Sequence, residues 1–233
     1  MNLGILQCDT VREEFASHGQ HSERFATLLK PIYPSICFTV FDAEHGELPK
    51  DIHAADAYLI TGSRHSVNDN FPWIGELEDF VRSLYQAHIK LIGICFGHQL
   101  IAKALGGKVV KWPHGWGVGM SQNKINQFKN WMQPNQNKFN LLVSHQDQVL
   151  ELPKEAEILA SSEFCPYYMT QIGSHVLTVQ GHPEFTKAYS QALMDYRKSI
   201  LGEELFQRGL ESLKLPEDDA LIAQWIVNFL QEH

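Results

Sequence analysis

The sequence predicts an α/β fold: a mostly parallel central sheet with helices on both faces and an antiparallel excursion in the second half. Two patterns predict it. Up to residue 105, short apolar runs alternate with segments of helical period, which is typical of successive βαβ units. After that point, several apolar runs follow one another and are expected to form strands in hairpins or in mixed order. Hydrophobic residues make up 44% of the 233 residues, which is enough for a sizeable core.

The first half supplies the parallel strands. Apolar and β-branched runs predict strands at 2–8, 36–41, 57–60 and 90–94. One helix is predicted over 22–29, ended by Pro31 and Pro34, and another over 73–88, where apolar residues recur on one face. A third helix, over 97–105, follows the last of these strands directly and is stopped by the two glycines after it.

The second half is predicted to differ. Strands are expected at 109–112, 118–125, 140–143, 158–162 and 175–180. Two helices follow, over 187–201 and 218–231. Together these elements predict one domain over residues 1–233, with a helical tail from about residue 187.

Composition and charge argue against several classes of protein. The chain has 19 Lys plus Arg against 27 Asp plus Glu, a formal net charge of -8, which does not suit nucleic-acid binding. No apolar stretch reaches the ~18 residues of a membrane-spanning helix, and the N-terminus lacks the basic start of a signal peptide. Scattered cysteines without a C-x-x-C pair suit a reducing compartment: Cys8, Cys37, Cys95 and Cys165. We therefore expect a cytoplasmic protein with neither nucleic acid nor a membrane as partner.

The segment around Cys95 is the most informative. The apolar run 90–94 leads directly into Gly93-Ile94-Cys95-Phe96-Gly97 and then into a predicted helix. Small residues two positions before and after a nucleophile allow a sharp strand-to-helix turn, as in the serine hydrolases. At a helix start, partial positive charge would favour the thiolate of Cys95, and the N–H of Phe96 could bind an oxyanion. The alternative is that Cys95 is a small buried core residue.

A base for this thiol is predicted at the end of a late strand. There the apolar run 177–180 is followed by Gly181-His182-Pro183-Glu184. Pro183 keeps the backbone extended, so the side chains of His182 and Glu184 should point to the same side. A carboxylate on one ring nitrogen leaves the other nitrogen free to face a nucleophile. The alternative is that this segment is a turn with an acidic residue on the surface. Most other histidines lie in polar surroundings and are expected to be solvated: His18, His21, His45, His53, His65 and His88.

With both segments in place, the sequence resembles the class I (triad-type) glutamine amidotransferases. The likeness is greatest to the amidotransferase half of GMP synthase and its free-standing relatives. Segments 93–99 and 181–184 match the family's nucleophile and histidine motifs. Segment 59–63 stands where the family has a glycine-containing oxyanion loop, and 144–149 resembles its Ser-His-x-Asp-x-Val segment beside the substrate. The resemblance implies a flavodoxin-like three-layer sandwich.

The resemblance also implies the catalytic roles. Cys95 would attack the γ-carboxamide carbon of glutamine, or another γ-glutamyl bond, and form a glutamyl thioester. His182 would take the thiol proton, donate it to the departing ammonia or amine, and then activate water. Glu184 would orient His182. Neither a cofactor nor a metal is implied, since acyl transfer to a thiol needs none.

Binding roles follow from the same resemblance. The N–H groups of Gly62 or Ser63 and of Phe96 would bind the oxyanion. The glutamyl α-amino and α-carboxylate groups of the small-molecule substrate would contact Gln99, Ser144 and His145. His98, one turn beyond the nucleophile, is expected to pack behind the site rather than to react.

The sequence departs from the family at two points, and alternatives stay open. Thr61-Gly62-Ser63 replaces the more usual Gly-Gly-Pro, and Gln146 stands where glycine is common. No synthetase domain is recognised, so ammonia would pass to a separate synthetase chain, or the enzyme would only hydrolyse its substrate. One alternative is a PfpI-type protein, which carries a cysteine on the same kind of turn. Another is a regulatory amidotransferase subunit that is inactive without a partner.

Overall fold

The computed structural model describes residues 1–232. Its strands are β1 (Asn2–Gln7), β2 (Cys37–Asp42), β3 (Ala57–Ile60), β4 (Lys90–Ile94), β5 (Lys108–Lys111), β6 (Gly117–Ile125), β7 (Lys138–His145), β8 (Asp147–Glu151), β9 (Ala156–Ser161), β10 (Met169–Ile172) and β11 (Val176–Val179). Its α-helices are α1 (His21–Leu29), α2 (Pro72–Gln86), α3 (Phe96–Ala104), α4 (Lys187–Tyr196), α5 (Lys198–Leu201), α6 (Glu203–Ser212) and α7 (Asp219–Gln231). Short 3₁₀ helices lie at Glu13–His18 and Ala43–His45.

Nine strands form one sheet, in the order β2-β1-β3-β4-β11-β10-β9-β6-β7. The pairings from β2 to β11 are parallel. Those from β11 to β7 are antiparallel. Strands β5 and β8 form a separate antiparallel pair. The predicted α/β fold, with parallel strands first and an antiparallel excursion in the second half, is confirmed.

The parallel strands are buried on both faces, as their uninterrupted apolar sequences require. Along β3, Leu59 packs into the core formed with α1 and α7, while Tyr58 and Ile60 pack into the core formed with α2 and α3. Helices α1 and α7 contact each other on one face, and α2 and α3 contact each other on the other face. This helix–sheet–helix layering is the flavodoxin-like three-layer sandwich that the resemblance implies.

The tail helices cover the antiparallel half. Helix α4 contacts β6 and β7, and α6 contacts β6. Tyr189 and Leu193 of α4 pack in an apolar cluster with Met120 of β6. The N–H of Asn140 in β7 donates a hydrogen bond to the Asp218 carboxylate, with an N···O distance of 2.8 Å. The last helix therefore starts from a fixed point on the antiparallel strands.

Several elements differ from the predicted pattern. Strands β8 and β10 and helix α6 are not predicted, and the helix expected over 187–201 divides at Arg197. All four residues of β10 are buried although two are polar. Thr170 hydrogen-bonds Thr178, and the Gln171 side chain accepts a hydrogen bond from the Trp131 indole at 3.1 Å. Because these polar groups find partners only in the folded chain, the sequence does not reveal that they are buried.

Membrane-spanning helices and clustered metal ligands are both absent from residues 1–232. No helix in that part of the chain is long and apolar enough to cross a membrane. No group of three or more His, Cys, Asp or Glu side chains there is placed to hold a metal ion. The four cysteines are free, and of these Cys37 is exposed while Cys8, Cys95 and Cys165 are buried.

Candidate active site

Three turns meet at one edge of the sheet. Strands β3, β4 and β11 are parallel neighbours, so their carboxyl ends lie side by side. Strand β3 leads into Thr61-Gly62-Ser63, β4 leads into Cys95, and β11 leads into the segment 180–184. The topology thus brings together segments that lie far apart in the sequence.

Cys95 occupies a strained turn between β4 and α3. Its φ of 51° and ψ of -98° form a conformation that side-chain-bearing residues rarely adopt outside functional sites. Backbone hydrogen bonds hold the turn: the Cys95 N–H donates to Val179 O at 2.9 Å, and the Gln99 N–H donates to Cys95 O at 3.1 Å. A Cβ at Gly97 would lie 2.5 Å from the carbonyl oxygen of Ile60. Glycine is therefore required where α3 starts against β3.

Free backbone N–H groups surround this turn. Within residues 1–232, the N–H groups of Gly62, Ser63 and Phe96 have no hydrogen-bond acceptor. Phe96 is the first residue of α3, where the N–H groups have no partner inside the helix. A Cβ at Gly62 would lie 2.7 Å from Cε1 of His182, so this loop runs directly beside the imidazole. Free donors at both turns can stabilise an oxyanion that forms between them.

His182 is held on three sides. Its N–H donates to Leu142 O at 2.8 Å, which ties the end of β11 to β7. Its ring stacks on Phe185 with a centroid distance of 3.8 Å and an interplanar angle of 15°. Its Nδ1 lies 2.8 Å from Glu184 Oε1. The side chains of both His182 and Glu184 are buried, so this hydrogen bond is shielded from solvent.

The charges of this pair stabilise each other. Burial by itself lowers the pKa of His182, but the Glu184 and Cys95 charges and hydrogen bonds to the same two groups outweigh it and raise this pKa to about 10. Burial favours a neutral Glu184, but the charge and hydrogen bond of His182 hold the Glu184 pKa well below its usual range. The ring therefore carries a proton readily and keeps a charged carboxylate behind it.

His21 is a neighbour of this pair that the sequence interpretation placed wrongly. It is 3% exposed rather than solvated, and its Nδ1 lies 3.7 Å from Glu184 Oε1. Arg24 Nη2 donates to the same Nδ1 at 3.2 Å. Burial and the Arg24 charge lower the pKa of His21, although Glu184 opposes this shift. A signal was available: His21, Phe25 and Leu29 recur every four residues, which places them on one helix face.

The Cys95 thiol faces a cavity of about 460 Å³, which we call the thiol cavity. Three residues implied for glutamyl binding, Gln99, Ser144 and His145, line it, as do the expected oxyanion donors Ser63 and Phe96. Charged side chains of both signs also line it: Arg64, Asp69, Lys111, Asp147 and Arg197. Such a lining suits the α-ammonium and α-carboxylate groups of a glutamyl compound.

The predicted binding residues are held in place by other parts of the chain. Gln99 Nε2 donates to Asp147 O at 2.7 Å and to Gln180 Oε1 at 3.0 Å, so only its carbonyl oxygen is free for a ligand. Arg197 Nη1 donates to Ser144 Oγ at 2.6 Å. His145 Nδ1 lies 3.2 Å from Asp147 O.

Two further buried histidines, His145 and His98, have lowered pKa values. Burial, with the charge of His182 as a further cause, lowers the pKa of His145 to about 4, although a backbone hydrogen bond opposes the shift. Burial likewise lowers the pKa of His98 to about 3, and His98 Nδ1 lies 2.6 Å from Thr178 Oγ1. His98 therefore packs behind the site, as expected.

Arg64 and Arg197 are site residues that the sequence pattern does not select. Both line the thiol cavity, Arg64 from the loop after β3 and Arg197 from the junction of α4 and α5. No local pattern marks either residue, because only the packing of α4 against β7 brings Arg197 beside Ser144. A further cavity of about 660 Å³ lies among residues of the antiparallel half and contains none of the predicted site residues.

A family model and several individual proteins match this chain. The family model "Glutamine amidotransferase class-I" matches residues 38–195. A glutamine amidotransferase-like protein of Schizosaccharomyces pombe is 34% identical, with 99% of each chain covered. Gamma-glutamyl peptidase 4 of Arabidopsis thaliana is 37% identical over 76% of this chain and 71% of its own length. The glutamine-hydrolyzing GMP synthase of Aeropyrum pernix is 28% identical over 87% of this chain but only 40% of its own length.

Solved structures share the fold. The crystal structure of a glutamine amidotransferase from Thermotoga maritima superposes with a TM-score of 0.79 at 16% sequence identity. The superposition covers 99% of this chain and 98% of that one.

Proposed function

This chain belongs to the class I glutamine amidotransferase family, and on that premise we propose that Cys95, His182 and Glu184 hydrolyse the γ-amide bond of glutamine or of a γ-glutamyl compound. One observation carries the assignment of these residues. Cys95 lies on a strained turn at a helix start, and its N–H is hydrogen-bonded to Val179, the last residue of β11, three residues before an imidazole whose Nδ1 is bound by a buried carboxylate. That arrangement performs acyl transfer to a thiol. Relatives named gamma-glutamyl peptidase and GMP synthase support the two substrate types.

The first half of the reaction forms a thioester. The Cys95 proton passes to His182, and the sulfur attacks the γ-carbonyl carbon of the substrate. The N–H groups of Phe96 and of Gly62 or Ser63 stabilise the oxyanion of the tetrahedral intermediate. When the C–N bond breaks, His182 gives its proton to the leaving nitrogen, and Glu184 keeps the ring charged until then.

The second half releases glutamate. A water molecule gives a proton to His182 and attacks the thioester carbonyl. The carbon–sulfur bond breaks, the proton on His182 passes to sulfur, and the product leaves as a γ-carboxylic acid that loses its remaining proton to water. In the thiol cavity, acidic side chains are available for the α-ammonium group of the substrate, and Lys111 is available for its α-carboxylate. Gln99, Ser144 and His145 orient this end of the substrate.

Replacing the nucleophile tests the proposal. Cys95→Ala is expected to lower kcat on glutamine and on γ-glutamyl amides by about 10⁴-fold or more, because the thioester cannot form. A glutamine analogue with an electrophile at the γ-position should form a covalent adduct with Cys95. Mass spectrometry of the digested protein would locate this adduct. Cys37→Ser, which changes an exposed thiol, is the matched control and should keep full activity. Comparable turnover by Cys95→Ala, or an adduct on another residue, would refute the assignment.

A second use of the same reaction is delivery of ammonia to a separate synthetase chain. The match to GMP synthase supports this use. It spans only 40% of that protein, so the relative extends well beyond the matched region. The PfpI-type alternative loses support, since the family model matches through the Gly-His-Pro-Glu segment. A cytoplasmic location stays a prediction from cysteine usage.

A further inference from the structure

A second cavity of about 310 Å³ lies beside the thiol cavity, and we call it the imidazole cavity. His182 lines this cavity and not the thiol cavity, whereas Cys95 lines the thiol cavity only. The two cavities adjoin, and five residues line the wall that they share: Ser63, Arg64, Trp116, Ser144 and Arg197. Cys95 and His182 thus line different but adjoining cavities.

During acyl transfer, the thiol cavity and the imidazole cavity are expected to hold different parts of the substrate. The glutamyl group becomes attached to Cys95 and therefore lies on the thiol side. The leaving nitrogen must take its proton from His182, so it departs where the ring is accessible. The imidazole cavity is therefore where the leaving group of the substrate is expected to lie.

The size of the imidazole cavity exceeds what ammonia needs. A water molecule occupies about 30 Å³ in the liquid, so a cavity of about 310 Å³ has room for about ten. Ammonia, which leaves when glutamine is hydrolysed, is about as large as one water molecule. A space of this size beside the proton donor fits an amine with many more atoms.

One part of the wall of the imidazole cavity is apolar. Val11, Phe15 and Leu193 are buried and line it. Tyr196 and Ile200 also line it, and these large side chains are 51% and 66% exposed. Large apolar side chains left in water at the rim of a cavity indicate a binding surface for an apolar ligand.

One cation in the wall is available to a ligand. Arg64 is 2.5 Å from Asp9 and 3.2 Å from Glu44, so its charge is already paired. Arg197 has no carboxylate within 4.0 Å in the described part of the chain. Its guanidinium donates to Ser144 Oγ and lies 5.1 Å from the Trp116 ring centroid. A half-buried arginine with free donors is a carboxylate-binding group.

We propose that the imidazole cavity binds the leaving group of a γ-glutamyl substrate, an amine with an apolar side chain and a carboxylate, as in a γ-glutamyl dipeptide that ends in leucine. This inference rests on the proposed hydrolysis at Cys95 and specifies what leaves. The carbon–sulfur bond forms first, the amide C–N bond of the tetrahedral intermediate then breaks, and the amino-acid nitrogen departs with the proton of His182. The apolar side chain lies against Tyr196 and Ile200, and the carboxylate pairs with Arg197.

The unmodified chain provides the first test. Values of kcat/KM are to be compared for γ-glutamyl-leucine, γ-glutamyl-leucinamide and glutamine. The kcat/KM of the dipeptide is expected to exceed that of its amide by about tenfold, which is the value of one charge-assisted hydrogen bond. It should exceed the kcat/KM of glutamine by at least as much. Equal values for the three substrates would overturn the inference.

Variants at the cavity rim test the apolar contact. Ile200→Glu places a negative charge beside the apolar, carboxylate-bearing leaving group, so the dipeptide-to-glutamine ratio of kcat/KM should fall about tenfold. Val40→Glu is the matched control, because Val40 is 49% exposed on the edge strand β2. The control should keep the ratio of the unmodified chain, and a ratio unchanged in Ile200→Glu would contradict the inference.

Variants of the cation test the carboxylate contact. Arg197→Gln should abolish the preference for the dipeptide over its amide, while Arg197→Lys should retain part of it because the charge remains. If Arg197→Gln slows all three substrates alike, Arg197 binds the glutamyl end and the inference fails. Failure of the proposed function is a different result, since neither glutamine nor any γ-glutamyl compound would then be hydrolysed.

Discussion

At the residue scale, the proposed chemistry depends on a buried carboxylate, Glu184, that remains ionised. Glu184 Oε1 is 2.8 Å from Nδ1 of His182 and 3.7 Å from Nδ1 of His21. Its other oxygen, Oε2, is buried and has no hydrogen-bond partner in residues 1–232. A carboxylate with so few partners depends on each of them, because burial favours its neutral form. His21 is a polar neighbour of Glu184 and not a hydrogen-bond partner, and we predict that it affects the reaction through this carboxylate.

Replacing His21 should move a pH profile. In His21→Leu the Glu184 carboxylate loses a polar neighbour, so its pKa should rise and the acid limb of kcat/KM against pH should shift to higher pH. The fall in kcat/KM at neutral pH should be about tenfold, the lower end of what loss of an orienting partner costs. Asp9 and Arg24 also face His21 and remain in the variant.

The pH profile separates positioning from a purely structural role. His21→Asn keeps a polar group on α1 and should restore part of the lost kcat/KM. His53→Leu changes an exposed histidine and should leave the profile as it is. A His21→Leu enzyme with an unshifted acid limb would show that His21 does not act through Glu184.

At the element scale, the junction of β4 and α3 is the critical feature. The sharp turn at Cys95 is possible because α3 starts in contact with β3. Gly97, which has no side chain, allows this contact. In contrast, a Cβ at Gly75 in α2 would have no atom within 4 Å among the described residues. A side chain is therefore excluded at Gly97 but tolerated at Gly75.

Alanine at these two glycines should have opposite effects on stability. In Gly97→Ala the new Cβ would lie 2.5 Å from a backbone oxygen, and the expected loss is about 1–3 kcal/mol of unfolding free energy together with most of the activity. Gly75→Ala should add about 0.5–1 kcal/mol, because alanine loses less conformational entropy in a helix. Urea unfolding and glutamine hydrolysis measure both. A Gly97→Ala protein as stable and as active as the unmodified chain would contradict this account of the turn.

At the scale of the whole molecule, both halves of the sheet complete the site. The parallel half provides Cys95 and the loop at Gly62, and β7 of the antiparallel half holds the backbone of His182. The loop is anchored within the chain: Thr61 Oγ1 accepts from the Cys8 N–H at 3.0 Å and donates to Gly62 O at 3.0 Å. The loop lacks the family's usual Gly-Gly-Pro sequence, but hydrogen bonds within the chain hold it in place.

An internally supported oxyanion loop predicts activity without a partner. The purified chain alone should release ammonia or an amine from glutamine or γ-glutamyl substrates at a measurable rate, and Cys95→Ala should remove that rate. Hydrolysis that appears only when a second protein is added would favour the regulatory-subunit alternative instead.

Local sequence determined the order of elements in the first half, the turn at Cys95 and the pairing of His182 with Glu184. Each depends on residues within a few positions of one another: glycines around a cysteine, a proline between a histidine and an acid, apolar runs of fixed period. The organisation of residues 1–233 as one domain stays a prediction of the same kind.

Tertiary structure alone decided what surrounds those groups. His21 is buried beside Glu184, Arg197 lines two adjoining cavities, and the polar strand β10 lies inside the sheet. These facts follow from which distant segments pack together. The physical reason is that backbone conformation is set mainly by near neighbours, whereas burial, charge pairing and cavity shape depend on side chains brought together by folding.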